Sequence, residues 1–192
     1  MKTSQTRRDS RKKETAEYFT PSWLVKQMLS KLNEYSKKSY QDPTATFLDN
    51  SCGNGNILLE VLLMKLANGH DPSQALSTIY GCDIMRDNIR ECRLRLLRVI
   101  RDSGTKITIE HVKVMFNHIV LTSLSKYPNG SLDYDYSFEN KASMKDMLPW
   151  MNGIENEGWL DDPYGAGKSQ DQADEDMKDA TRDDEMLAEF QD

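Results

Sequence analysis

The sequence predicts an α/β protein built on a parallel, doubly wound sheet. Three observations carry that expectation. Short apolar runs alternate with amphipathic helical patterns, a glycine-rich turn joins one run to a helix, and two runs end in an acid. Strands alternating with helices fold as a parallel sheet, and ligands of such sheets sit beyond the carboxyl ends of the strands.

Read along the chain, the elements are helix 21–38, strand 45–49, helix 55–68, helix 72–77, strand 78–82, helix 86–102, strand 106–110 and strand 115–121. Thr20 can cap the first helix, Pro21 suits its first position, and Trp23, Leu24, Met28 and Leu32 form an apolar face. The first strand, Thr46-Phe47-Leu48-Asp49, runs through the turn Asn50-Ser51-Cys52-Gly53-Asn54-Gly55-Asn56 into the apolar helix Ile57-Leu58-Leu59-Glu60-Val61-Leu62-Leu63-Met64. Thr78-Ile79-Tyr80-Gly81-Cys82-Asp83 is a second strand ending in a carboxylate, followed by Asp87 and the helix Asn88 to Leu97. His118 to Leu124 and Leu132 to Phe138 close the patterned part of the chain.

The turn between the first strand and its helix carries the chemistry. Two glycines let the backbone turn tightly and leave room for a ligand, and the helix behind them presents free N–H groups. That combination suits a nucleotide-type cofactor, although the same pattern also serves a turn without a ligand. A dinucleotide fingerprint would place a third glycine where this chain has Leu58. An acid ending the second strand, here Asp83, is placed to accept from a ribose hydroxyl pair.

The stretch from Asn50 to Gly55 resembles motif I of the class I S-adenosylmethionine (SAM) methyltransferases, and most of all the DNA amino-methyltransferases of the N6-adenine type. Tyr18-Phe19-Thr20-Pro21 is similar to their motif X, which closes over the methionine end of SAM, and Asp83 falls at motif II. The resemblance covers residues 14 to 138 and implies a Rossmann-like fold, incomplete in its C-terminal half. It implies SAM as cofactor, with Tyr18, Thr20, Asp49, Ser51, Gly53, Gly55, Asp83 and Ser123 around it. Gly53 and Gly55 are expected to make room for its methionine and ribose portions. Ser123 stands where relatives carry an acid, so it can hydrogen-bond but supplies no charge.

The family's base-holding motif is a short acid or Asn, proline and aromatic sequence. Asp161-Asp162-Pro163-Tyr164 is the nearest match, with Asp162 in place of the first proline. By resemblance, Asp161, Pro163 and Tyr164 are the catalytic residues, holding a flipped base and its amino group. The segment Asn152 to Leu160 before them is polar for a strand, and a four-residue match also arises by chance in a turn. Only 28 residues follow Tyr164, counting 165 to 192, where complete relatives carry further strands and a target-recognition region. The expected function is DNA methylation at adenine N6, as in restriction-modification, with DNA as partner and a second polypeptide supplying target recognition. The alternative is a shortened, noncatalytic SAM-fold module acting as an accessory subunit that binds DNA or protein.

Composition bounds these readings. The chain has 192 residues, enough for one domain with a sizeable core, and a net charge of −6. Three regions are expected: a flexible basic arm at 1–13, a SAM-methyltransferase-like domain at 14–165 and an acidic, disordered tail at 166–192. The arm holds Lys2, Arg7, Arg8, Arg11, Lys12 and Lys13 and could neutralise phosphates. The tail holds ten acids between residues 169 and 192 against Lys178 and Arg182, too polar to build a core. Cys52, Cys82 and Cys92, with three scattered histidines, show no metal spacing and read as buried packing residues of a cytoplasmic protein without metal. No run is long enough to cross a membrane.

Overall fold

Parallel pairing of three short strands organises the chain in the computed structural model, which describes residues 20–36, 39–122, 124–126, 132–134, 138, 143–154 and 160. Strands β1 (Phe47–Asp49), β2 (Ile79–Asp83) and β3 (Ile119–Leu121) lie in the order β1-β2-β3. The register sets Asp49 beside Gly81 and Gly81 beside Ile119, with Asp83 beside Leu121. Side chains alternate along a strand, so Asp49, Gly81 and Asp83 point to one face of the sheet.

Helix α1 (Ser22–Tyr35) precedes β1. The link from β1 to β2 contains α2 (Asn56–Ala67) and α3 (Pro72–Ser77), and the link from β2 to β3 contains α4 (Arg86–Asp102) and α5 (Ile109–His118). A backbone ladder of β4 (Leu124–Lys126) with β5 (Leu132–Tyr134) is antiparallel, and α6 (Met144–Gly153) follows. The core forms where α2 and α4 meet the sheet. Leu58, Val61 and Leu62 lie one helical turn apart on α2 and face Cys92, Leu96 and Ile100 of α4 within one buried cluster. Gly81 makes that seat possible, because a Cβ there would lie 2.6 Å from Leu58 Cδ1. Trp150 of α6 meets the Phe116 ring of α5 edge-on at 5.3 Å.

Four expectations need correction. The strand expected at 106–110 is not formed: α5 begins at Ile109, and the strand expected at 115–121 is reduced to Ile119–Leu121. The alternation of Lys106-Ile107-Thr108-Ile109-Glu110 suggests a strand, but a stronger local signal wins. Thr108 caps α5 reciprocally with His111, and Val112, Met115 and Phe116 are buried at helical spacing. Thr20 does not cap α1; Pro21 stands at that position, and its carbonyl accepts from Leu24 and Val25. Finally, α1 buries Val25 and Leu29, while Trp23, Met28 and Leu32 are exposed. Two adjacent apolar stripes were available on α1, and packing on α2 took the one next to that expected.

Candidate functional site

The turn after β1 continues the sheet before it leaves it. Cys52 N–H donates to the Cys82 carbonyl at 2.9 Å, extending the β1–β2 pairing beyond Asp49. The chain then reverses through Gly53 and Gly55, both at positive φ (50° and 86°), and Gly55 becomes the N-cap of α2. No side chain caps that helix, so its first amides stay available to an anionic group. Gly55 needs its missing side chain for a reason the sequence did not show. A Cβ there would lie 2.5 Å from Cys92 Sγ, so the vacancy admits α4 to the loop and is not open space for a ligand.

Asp83 ties this turn to β2. Its Oδ2 accepts from Gly53 N–H at 2.9 Å, its Oδ1 from Met85 N–H at 2.8 Å, and Asn88 Nδ2 approaches Oδ1 at 3.4 Å. Asp49 accepts from Ser51 N–H at 3.1 Å, so Ser51 meets its neighbour through the backbone. Burial raises both carboxyl groups above their ordinary value, against the backbone hydrogen bonds that lower them. Among the described residues, no lysine or arginine pairs with either acid. From the register, the two Cα atoms stand roughly 8 Å apart on one face. Two half-buried acids that face no cation among the described residues form a site suited to a ligand that brings positive charge and donors.

Thr20 is brought to the same place. Its carbonyl accepts from Asn56 Nδ2 at 2.8 Å, joining the start of α1 to the loop. Asn56 Oδ1 and the Asn54 carbonyl both accept from Arg95 of α4, and Asn54 Nδ2 donates to Glu91 at 3.1 Å. Asn54, Asn56, Asn88 and Arg95 are absent from the expected site. The two asparagines around Gly55 were a signal for the first pair. Nothing in the sequence marked Arg95 or Asn88, whose partners are distant along the chain or specific to the turn. Tyr18, Ser123, Asp161, Pro163 and Tyr164 lie outside the described residues. Leu160, next to Asp161, is buried, and its carbonyl accepts from Arg98 Nε of α4 at 2.6 Å.

Other reactive groups are held in inert forms. All three cysteines are buried, and the Cys52 thiol is pushed up by its hydrogen bond with Cys92 and by burial, which disfavours a thiolate. Ser73 Oγ lies 2.8 Å from His111 Nε2, a spacing that suits a nucleophile and base. Yet Thr108 N–H donates to His111 Nδ1 at 3.0 Å, which leaves the proton on Nε2 and makes the imidazole a donor to Ser73. Among the described residues, no group of three or more His, Cys, Asp or Glu could hold a metal ion, and no helix is long and apolar enough to cross a membrane.

A family model for N-6 DNA methylases matches residues 6–118, more than half of the chain. The matched span contains the whole Gly53–Gly55 loop, Asp49, Asp83 and Thr20, and it ends before Ser123 and Asp161. No curated protein and no solved structure matches the chain.

Proposed function

Because the chain belongs to the N-6 DNA methylase family, we propose that the Gly53–Gly55 loop, Asp49 and Asp83 hold SAM for methylation of DNA. The family's reaction, transfer of a methyl group to the N6 amino group of adenine, is the function this membership assigns. Bound SAM supplies the methyl group on a positively charged sulfur, already activated for transfer. The chain's own residues bind, orient and desolvate. The observation that carries the cofactor reading is the pair of half-buried acids on one sheet face, at the mouth of a helix-opening glycine turn, without a cation among the described residues.

The residues fit that ligand. The uncapped amides of α2 suit the carboxylate of its methionine end. Asp49 offers a carboxylate with one oxygen engaged by Ser51 N–H. Asp83 already receives three donors, which leaves about one of a carboxylate's four acceptor sites. It therefore takes one ribose hydroxyl as it stands, and a second when the 3.4 Å contact with Asn88 is released. Tyr18 and Thr20 would close over the methionine end, and Ser123 would hydrogen-bond near the adenine.

For the base, Asp161 and the backbone beside Pro163 would accept from the amino group, and Tyr164 would stack on the ring. Their chain leaves from Leu160, which Arg98 anchors ten residues beyond Asn88 on α4. That is ~15 Å along the helix axis, a distance four extended residues nearly span. The basic residues 2–13 would neutralise phosphates, and a second polypeptide would supply target recognition. In this reading, the three parallel strands are part of a Rossmann-like, doubly wound sheet.

Calorimetric titration with SAM tests the reading. Binding to the wild type that disappears in Asp49→Ala and Asp83→Ala supports it, and no heat with the wild type sinks it. Transfer of a labelled methyl group to adenine-containing duplex DNA, lost in Tyr164→Ala with SAM affinity unchanged, tests the base-holding segment.

A further inference from the structure

We infer that Arg95 is a positioning residue for the cofactor loop, an inference that rests on the SAM reading of that loop. Its Nη1 donates to the Asn54 carbonyl at 2.7 Å and to Asn56 Oδ1 at 2.8 Å, so one guanidinium brackets Gly55 from both sides. Charge-assisted bonds of this kind are strong and directional. Taking the amide oxygen of Asn56 leaves the amide nitrogen to face the other way, where it donates to the Thr20 carbonyl at 2.8 Å. A relay therefore runs from α4 through the loop to the start of α1. It sets the loop, from which the α2 amides project, and the Thr20 segment against one fixed point. Geometry of this kind matters because a ligand held by several groups loses affinity when one of them drifts.

Arg93, on the same helix, provides the comparison. Its guanidinium donates to the Ile119 carbonyl at 2.9 and 2.6 Å and lies over the Phe116 ring, so it holds the start of β3 and not the loop. The chemistry is alike and the segment held is different. Replacing either arginine with lysine keeps the charge and removes the two-point grip.

The test uses the full chain, with hydrogen exchange measured in the absence of ligand and SAM affinity measured by calorimetry. Arg95→Lys is expected to speed amide exchange selectively over residues 54–57 and 22–25, and to raise the SAM Kd about tenfold, the loss expected for one charge-assisted hydrogen bond. Arg93→Lys should speed exchange at β3 and leave the SAM Kd unchanged. Asn56→Asp keeps an acceptor for Arg95 but removes the donor to Thr20, so it should release residues 22–25 more than the loop. Equal loosening of the loop by Arg93→Lys and Arg95→Lys would overturn the inference, as would a loosened loop with unaltered SAM affinity. Should the wild type itself bind no SAM, the cofactor reading falls, and with it the role of Arg95 toward a cofactor; selective exchange would then show Arg95 as a loop strut alone.

Discussion

The two edges of the β1-β2-β3 sheet both take charge out of full contact with water, and they do so differently. At the amino edge, Lys65 is fully buried, and its ammonium donates to the Ala45 carbonyl at 2.7 Å and lies 5.4 Å from the centre of the Phe47 ring. Tyr40 stacks on Phe47, and His70 bonds the Tyr40 carbonyl at 2.7 Å, so the cluster answers its own polar groups. At the carboxyl edge, Asp49 and Asp83 receive backbone N–H bonds, but no cation among the described residues faces them. Burying charge without an opposite charge costs stability at both edges, and acids in that state are also what a ligand-binding site offers. The amino edge gives its buried ammonium a backbone acceptor as folded, whereas the acids of the carboxyl edge keep acceptor capacity that the proposed SAM would use.

The largest effect that would break this comparison is expected at Gly55. Valine there must adopt φ of 86° and bring a branched side chain against Cys92 Sγ, 2.5 Å from where its Cβ would lie. Gly55→Val should therefore cost about 3 kcal/mol or more and loosen α4 from α2. Chemical denaturation measures it. A stable variant that merely loses SAM would restore Gly55 to the ligand and contradict the packing described above. Lys65→Met comes next, at about 1–2 kcal/mol, because methionine keeps the stem but leaves the Ala45 carbonyl without its donor. That loss should appear in stability and leave SAM affinity unchanged, since Lys65 meets Ala45 and Phe47 at the opposite end of β1 from the proposed SAM loop.

A smaller effect of opposite sign is expected at Asp49. Asparagine retains an acceptor for Ser51 N–H and removes a half-buried charge that no cation among the described residues offsets. Asp49→Asn should raise the Tm of the ligand-free protein at pH 7 and weaken SAM binding. Loss of stability together with loss of binding would make Asp49 a structural acid like any other.

What the sequence disclosed follows from where its signals lie. The turn, α2, β2 and α4 were legible to within one or two residues, because their glycines, apolar spacing and terminal acids are local. The region 106–118 was not, because the cap of α5 uses His111 where the usual signature has Glu or Gln. The link between Thr20 and the loop spans 36 residues, and that between Asn54 and Arg95 spans 41, so neither leaves a local pattern. The meaning of Gly55 was hidden for the same reason. Its neighbour is Cys92, which no reading of the turn alone can supply.

The smallest effect separates the two kinds of burial by their response to pH. Burial lowers His111 and His118 below their ordinary value of 6.5, so the folded state prefers them neutral. Their contribution is present above pH 6.5 and is lost as pH falls through the lowered values. Burial raises Asp49 and Asp83 above 3.8, so the folded state prefers them protonated. Their share of stability is greatest below pH 3.8 and is lost as pH rises through the raised values. On acidification from pH 7 the histidines thus withdraw stability while the acids return it. Asp49→Asn removes part of the return, so its Tm should fall more steeply with acid than that of the wild type as pH falls through the raised value of Asp49 toward 3.8. Thermal melts of both proteins across that range measure the difference. Parallel curves would mean that Asp49 carries no burial cost, and the contrast between the two edges would then rest on Asp83 alone.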